Sequence, residues 1–140
     1  MNWEFCYAWF CTAIGVFLTE SNRVVDLHIS PESSSTLLVA WRRPTQSNGA
    51  VDIYLMRYRL MRVGDCPSLD PPGRWSRLLD MDNNQLRSVI NDLVPYSRYQ
   101  VKLWARTAAG RGQVAVDFAN TATAGLFCIC LCIFLRGLAV

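Results

Sequence analysis

The sequence predicts an all-β fold, a seven-stranded antiparallel sandwich between two apolar terminal segments. Two observations support this. Apolar and polar residues alternate with a period of two in several short segments between positions 23 and 123, and turn residues interrupt these segments at intervals of about 8 to 12 residues. No segment in this range has helical periodicity of consequence. The predicted strands are 24–29, 36–42, 51–60, 75–81, 86–90, 99–107 and 113–122.

Clear turn signals separate the first three predicted strands. The first strand is expected to stop near Pro31, because proline cannot donate a ladder hydrogen bond. The second strand alternates and places Trp41 on its inner face. Asn48-Gly49 is a strong turn signal before the third strand, in which Tyr54 is expected to face inward.

The last four strands follow a long loop, 63–73, that is rich in Pro, Gly and Asp and contains Cys66. The fourth and fifth strands are short and are joined by the turn residues 82–84. The sixth begins at Tyr99, soon after Pro95, and alternates over its whole length. A loop of small residues and glycines, 108–112, separates it from the seventh strand.

Several residues together resemble the fibronectin type III domain over roughly residues 23–123. They are Trp41 with Pro44 three positions later, Asn48-Gly49 before Tyr54, Leu93-x-Pro95-x-x-x-Tyr99, the strand from Tyr99 to Ala105, and the loop Ala108-Ala109-Gly110. The resemblance implies an immunoglobulin-like β-sandwich, with the domain placed at 22–123.

The resemblance also implies the roles of the core residues. Tyr99 would form the tyrosine corner, with its hydroxyl hydrogen-bonded to upstream backbone. Leu93 would fill the core before the turn, Pro95 would fix the backbone there, and Trp41 and Tyr54 would lie in the core. Several features depart from the family pattern. The loop around Cys66 is longer than usual, and the final strand lacks the usual proline-rich lead-in. Ser88 stands where a large apolar residue is common, and Arg111-Gly112-Gln113 differs from the Arg-Gly-Asp of integrin-binding members.

Composition argues against catalysis, metal binding and nucleic-acid binding. The net charge is only +3, and no Lys/Arg run reaches five. The single histidine, His28, lies on a predicted strand and has no cysteine near it in the sequence. We therefore predict no catalytic residue, no metal ligand, no cofactor and no nucleic-acid partner. Cys66 is alone in its loop, and a free thiol, an intermolecular disulfide and no role all remain open.

One surface stands out as a candidate protein-binding face. The third and sixth strands are neighbours in this family, so their outward residues should lie side by side. Those residues are Leu55, Arg57, Arg59, Lys102, Trp104 and Arg106. Aromatic residues and arginine are enriched in protein interfaces. The alternative is that an arginine stem merely covers Trp104.

The two apolar ends predict passage through the secretory pathway. Residues 5–18 form an apolar run of signal-peptide length, so 1–21 is predicted to be a signal peptide, although Glu4 replaces the usual positive charge. Residues 124–140 form an apolar, cysteine-rich tail, interpreted as a short membrane anchor or as the translation of a non-coding stretch.

The expected function is that of a non-catalytic extracellular or cell-surface module for protein–protein interaction or spacing, as a fragment of a receptor or adhesion protein. Two alternatives remain. The chain is a membrane-anchored protein that displays one such module, or it is the accessory module of a larger enzyme. The fold alone does not identify the partner.

Overall fold

A computed structural model describes residues 23–124 of the chain. These residues form eight strands and no helix: β1 Val25–Pro31, β2 Leu37–Arg42, β3 Val51–Val63, β4 Leu79–Asp82, β5 Arg87–Ile90, β6 Ser97–Thr107, β7 Gly110–Arg111 and β8 Ala115–Asn120. The predicted all-β fold is therefore confirmed for the part of the chain that the structure describes.

The strands form two antiparallel sheets. The smaller sheet has the order β1-β2-β5, and the larger contains β4, β3, β6, β7 and β8. Both β7 and β8 pair with the same edge of β6, β7 near Thr107 and β8 from Leu103 back to Arg98. Strand β8 corresponds to the seventh predicted strand, 113–122, whereas β7 lies in the predicted loop 108–112 and was not predicted.

Two strand boundaries differ from the prediction. Strand β1 does not stop before Pro31, which pairs with Leu37. Because β1 is an edge strand, a missing N–H on its free side removes no hydrogen bond between strands. The fourth strand begins at Leu79 rather than at residue 75. Upstream of it, the Tyr58 N–H donates to the Oγ of Ser76 instead of a carbonyl, which interrupts the regular ladder.

The core lies between the sheets and is filled by the inward residues of β2, β3 and β6. Trp41, Tyr54 and Met56 are buried beside Val101 and Leu103. The rings of Trp41 and Tyr54 meet edge to face, with centroids 5.4 Å apart. Neither Trp41 Nε1 nor the Tyr54 hydroxyl has a hydrogen-bond partner among the described residues. Burial raises the pKa of the Tyr54 hydroxyl, and the positive charge of the nearby Arg43 opposes this shift.

The corner before β6 has the hydrogen bond that the family resemblance implies. The backbone N–H of Val94 donates to the hydroxyl of Tyr99 at 2.9 Å. Burial raises the pKa of this hydroxyl, while the hydrogen bond from Val94 lowers it. Thr121 also stabilises the corner, because its hydroxyl donates a hydrogen bond to the Val94 carbonyl and accepts one from the Ser97 N–H. Leu93, which precedes the corner, is buried in the core.

The terminal predictions lie mostly outside the described residues. The expected signal peptide, 1–21, is wholly outside, and so is all of the expected tail, 124–140, except its first residue. Between residues 23 and 124 there is no helix of the length and apolarity needed to cross a membrane. Cys66 is disulfide-bonded, which excludes the free thiol that was one of the possibilities from the sequence.

Candidate protein-binding face

The register of β3 and β6 determines which side chains share the outer face of the larger sheet. Tyr99, Val101, Leu103 and Ala105 are buried inside, so the residues between them point outward. Along the pair, the outward rows are Ile53 with Arg106, Leu55 with Trp104, Arg57 with Lys102, Arg59 with Gln100, and Arg62 with Arg98. We call this surface the outer face. It contains all six residues that the sequence proposed.

One of those six is not available to a partner. Leu55 points to the outer face but is only 2% exposed, so its prediction as a contact residue is wrong. It has neighbours on both sides, with Trp104 opposite it on β6 and Asp80 opposite it on β4. Alternation correctly places its side chain on the outer face but does not show that the neighbouring residues cover it.

Trp75 belongs to the outer face, although the sequence assigned it to a strand. The segment before β4 runs beside β3, where Gly73 and Ser76 donate backbone hydrogen bonds to the carbonyls of Leu60 and Tyr58. Two cations from different strands lie over the face of the Trp75 ring. The guanidinium carbon of Arg59 is 4.3 Å and the Nζ of Lys102 is 4.7 Å from the ring centroid.

Five cations form the lower part of this surface: Arg57, Arg59, Arg62, Arg98 and Lys102. We call them the cation cluster. They fill five of the six outward positions in three successive rows of β3 and β6, and Gln100 fills the sixth. Gln100 accepts a hydrogen bond from Arg59 Nε at 2.8 Å. The one ion pair among the described residues, Arg42 with Asp26, is on the other sheet.

The upper part of the outer face has a second aromatic residue, Trp104. Its ring is half-buried, and the guanidinium carbon of Arg111 lies over it, 6.0 Å from the ring centroid. Arg111 is paired with Arg106 across β6 and β7. At that distance the cation–π attraction is at the limit of its range. Arg111 of β7 therefore covers Trp104 only loosely.

Strand β8 adds an apolar border to this surface. Val116 lies opposite Lys102 and Phe118 lies opposite Gln100. They are 39% and 41% exposed, and the guanidinium carbon of Arg98 is 5.2 Å from the Phe118 ring centroid. The sequence missed both residues because their exposure depends on β8 being the edge of the sheet.

The remaining surface features do not assemble a reaction centre among residues 23–124. No group of three or more His, Cys, Asp or Glu side chains is placed to hold a metal ion there. His28 is exposed on β1, opposite Ala40. An open groove of about 640 Å³ lies between the start of β1 and that of β8, and its lining includes Asp26 and Asp117.

The sequence and the structure both match a family of known proteins. The sequence model described as "Fibronectin type III domain" matches residues 22–117. Human neural cell adhesion molecule L1 is 30% identical over 113 residues, which cover 71% of this chain and 8% of that protein. Mouse ephrin type-B receptor 3 is 30% identical over 107 residues, or 74% of this chain and 10% of the receptor.

Solved structures show the same fold. The fibronectin type III domain of the human collagen alpha-1(XX) chain superposes with a TM-score of 0.59 at 22% identity, covering 73% of this chain and 86% of that domain. The FN5 domain of Drosophila Lar gives a TM-score of 0.56 at 17% identity, covering 74% and 99%. Tyrosine-protein phosphatase Lar of Drosophila melanogaster is also a sequence relative, 30% identical over 72% of this chain and 5% of the phosphatase.

Proposed function

Because the chain belongs to the fibronectin type III domain family, we propose that it is a non-catalytic extracellular module that binds a protein partner through its outer face. The relatives include a cell adhesion molecule and a receptor, which supports a binding role outside the cell. The chain spans a tenth or less of the length of these relatives, so their other activities are not transferred to it. Fold membership by itself does not identify a ligand.

The proposal rests on the partial burial of the Trp104 side chain. This ring is half-buried, and it stands in a row with the buried Leu55, which supports it from the neighbouring strand. A large aromatic side chain supported in this way loses little rotamer freedom when a partner covers it. Arg106 and Arg57 stand in the rows on either side and supply hydrogen-bond donors at the rim.

The partner is proposed to be a protein because the outer face combines the residue types that are enriched in such interfaces. Two tryptophans and several arginines lie on it, and Phe118 and Val116 form its apolar border. A spacer module would not require a large aromatic residue that remains only partly covered on a sheet face. Trp104 is therefore the side chain that distinguishes a binding module from a spacer.

Screening the full chain against a panel of cell-surface ectodomains tests the proposal. For any partner found, Trp104→Ala should weaken the affinity by about tenfold or more, as expected for an interface hot spot. Val89→Ala is the matched control, because Val89 is an exposed apolar residue on the smaller sheet. Unchanged affinity in a folded Trp104→Ala variant would refute binding through this face. No interaction with any ectodomain would favour a spacer.

Cell fractionation tests the proposed location. A tag inserted at Asn48-Gly49 would lie in an exposed loop between β2 and β3. Tagged protein in the medium would support a secreted module. Tagged protein that stays in the membrane pellet after an alkaline wash would support the alternative of a membrane-anchored module. Tagged protein recovered only from the cytosol would contradict both.

A further inference from the structure

Two pairs of like charges stand directly opposite each other in the cation cluster. Arg57 is paired with Lys102, and Arg62 is paired with Arg98, in the register of β3 and β6. Like charges at directly opposed positions destabilise an antiparallel sheet. Two rows of such pairs therefore work against folding, and this arrangement calls for an explanation outside the stability of the domain.

Carboxylates of the described chain do not neutralise the cluster. No ion pair forms on the outer face among residues 23–124, and the acidic residues of β4, Asp80 and Asp82, lie beside the upper rows of β3. Trp75 contacts Arg59 and Lys102 through its ring, which attracts cations without removing their charge. The Nε of Arg62 is buried and has no hydrogen-bond partner among the described residues. The cluster therefore keeps its positive charge.

The dimensions of the cluster fit a linear and densely charged anion. Neighbouring strands are about 4.8 Å apart, and successive outward residues on one strand are about 6.7 Å apart. The three rows therefore make a strip about 13 Å long that is two cations wide. Four of the five cations are arginines, whose planar guanidinium groups can donate two parallel hydrogen bonds to one oxyanion.

We propose that the cation cluster is a binding site for a sulfated polysaccharide chain. The sulfate groups would lie between Arg57 and Lys102 and between Arg62 and Arg98, where the single negative charge of each would reduce the repulsion between two opposed cations. Trp75 would hold Arg59 and Lys102 in place from the side. The site does not include Trp104, which carries the proposed protein contact, although Arg57 borders both sites; it relies on the same proposed extracellular location.

A sulfated polysaccharide fits the cluster better than an acidic protein surface does. A sulfated polysaccharide carries many charged groups at short intervals along one chain, and each sulfate offers three oxygens to the arginines of the cluster. A flexible linear chain can also follow the strip without bringing the curved surface of a second folded domain against Trp75. In the extracellular setting that the proposed function assigns, sulfated polysaccharides are abundant linear polyanions.

Binding of the full chain to immobilised heparin tests the site directly, at physiological salt and without a protein partner. Lys102→Glu and Arg98→Glu should each lower the affinity by about tenfold or more. Arg87→Glu is the matched control, because it makes the same charge change at an exposed position on the smaller sheet. It should change the affinity by no more than about twofold. Affinity for heparin should fall steeply with salt.

Both test variants are expected to remain folded, because each replaces a like-charge pair by an opposite-charge pair. The melting temperature should therefore be unchanged or higher. An equal loss of heparin binding in Arg87→Glu would overturn the proposal, since binding would then depend on net charge alone. So would competition by desulfated heparin, polyglutamate or anionic lipid vesicles at the same concentration as heparin. Loss of a protein partner in Trp104→Ala would leave this result unaffected, so the two proposals can fail separately.

Discussion

Two buried tyrosines of the same core make a matched test of hydrogen bonding. The Tyr99 hydroxyl accepts a hydrogen bond from the partly buried Val94 N–H at 2.9 Å. Tyr99→Phe leaves that donor without its acceptor, which should cost about 1–2 kcal/mol of unfolding free energy. The Tyr54 hydroxyl is buried without a partner among the described residues. Tyr54→Phe should therefore change stability by less than about 0.5 kcal/mol or increase it.

Chemical denaturation followed by tryptophan fluorescence measures both changes in the same assay. The midpoint should shift in Tyr99→Phe while the m-value stays constant, because the two folded structures bury the same surface. In a domain of this size, about 1 kcal/mol corresponds to about 4–8 °C in melting temperature. An equal loss of stability in both variants would refute the reasoning, since it would show that the Tyr54 hydroxyl makes an interaction as strong as that of Tyr99.

Three further outcomes are expected from the core and from the edge of β3. Trp41→Ala should cost about 3–5 kcal/mol, and the reasoning fails if the variant melts cooperatively within a few degrees of the parent. Gly73→Ala should lower the melting temperature, because the new Cβ would lie 3.0 Å from the Leu60 carbonyl oxygen and push Trp75 off the sheet. Stability should fall above about pH 10, because burial raises the pKa values of Tyr54 and Tyr99 above 10.0, so the folded state keeps protons that the unfolded chain releases. Tyrosinate absorbance for these two residues should appear only with unfolding.

Most of the fold follows from patterns that are local in the sequence. Alternation placed β2, β3 and β6 within a few residues of their ends, because each buries one face and exposes the other. The errors occur where the position of a strand in its sheet matters. Pro31 continues β1 because β1 is an edge, and residue 75 is excluded from β4 because Ser76 replaces a backbone partner with its side chain.

The candidate face was less predictable than the fold. Alternation assigned an outward face to each strand, and the family resemblance made β3 and β6 neighbours, so Arg57, Lys102 and Trp104 were predicted to share one surface. It could not show that Leu55 is covered, because cover depends on residues far apart in sequence. Nor could it place Trp75 on that surface, since the contact depends on an irregular segment. One signal was available. A lone tryptophan between Arg74 and Arg77, beyond a loop rich in proline and glycine, is unusual in a short edge strand.

The cation cluster connects the stability of the domain to its proposed use. An antiparallel sheet is stabilised by opposite charges at directly opposed positions, by about 0.2–1 kcal/mol for each pair. A Glu at position 102 would face Arg57 and provide such a pair, at the loss of a cation–π contact with Trp75 worth about 0.5–1 kcal/mol. At position 98, the same change loses only the more distant contact of Arg98 with Phe118. Arg98→Glu should therefore stabilise the domain more than Lys102→Glu does. A domain that gains stability while it loses heparin binding would show that the arginine at this position serves binding rather than folding.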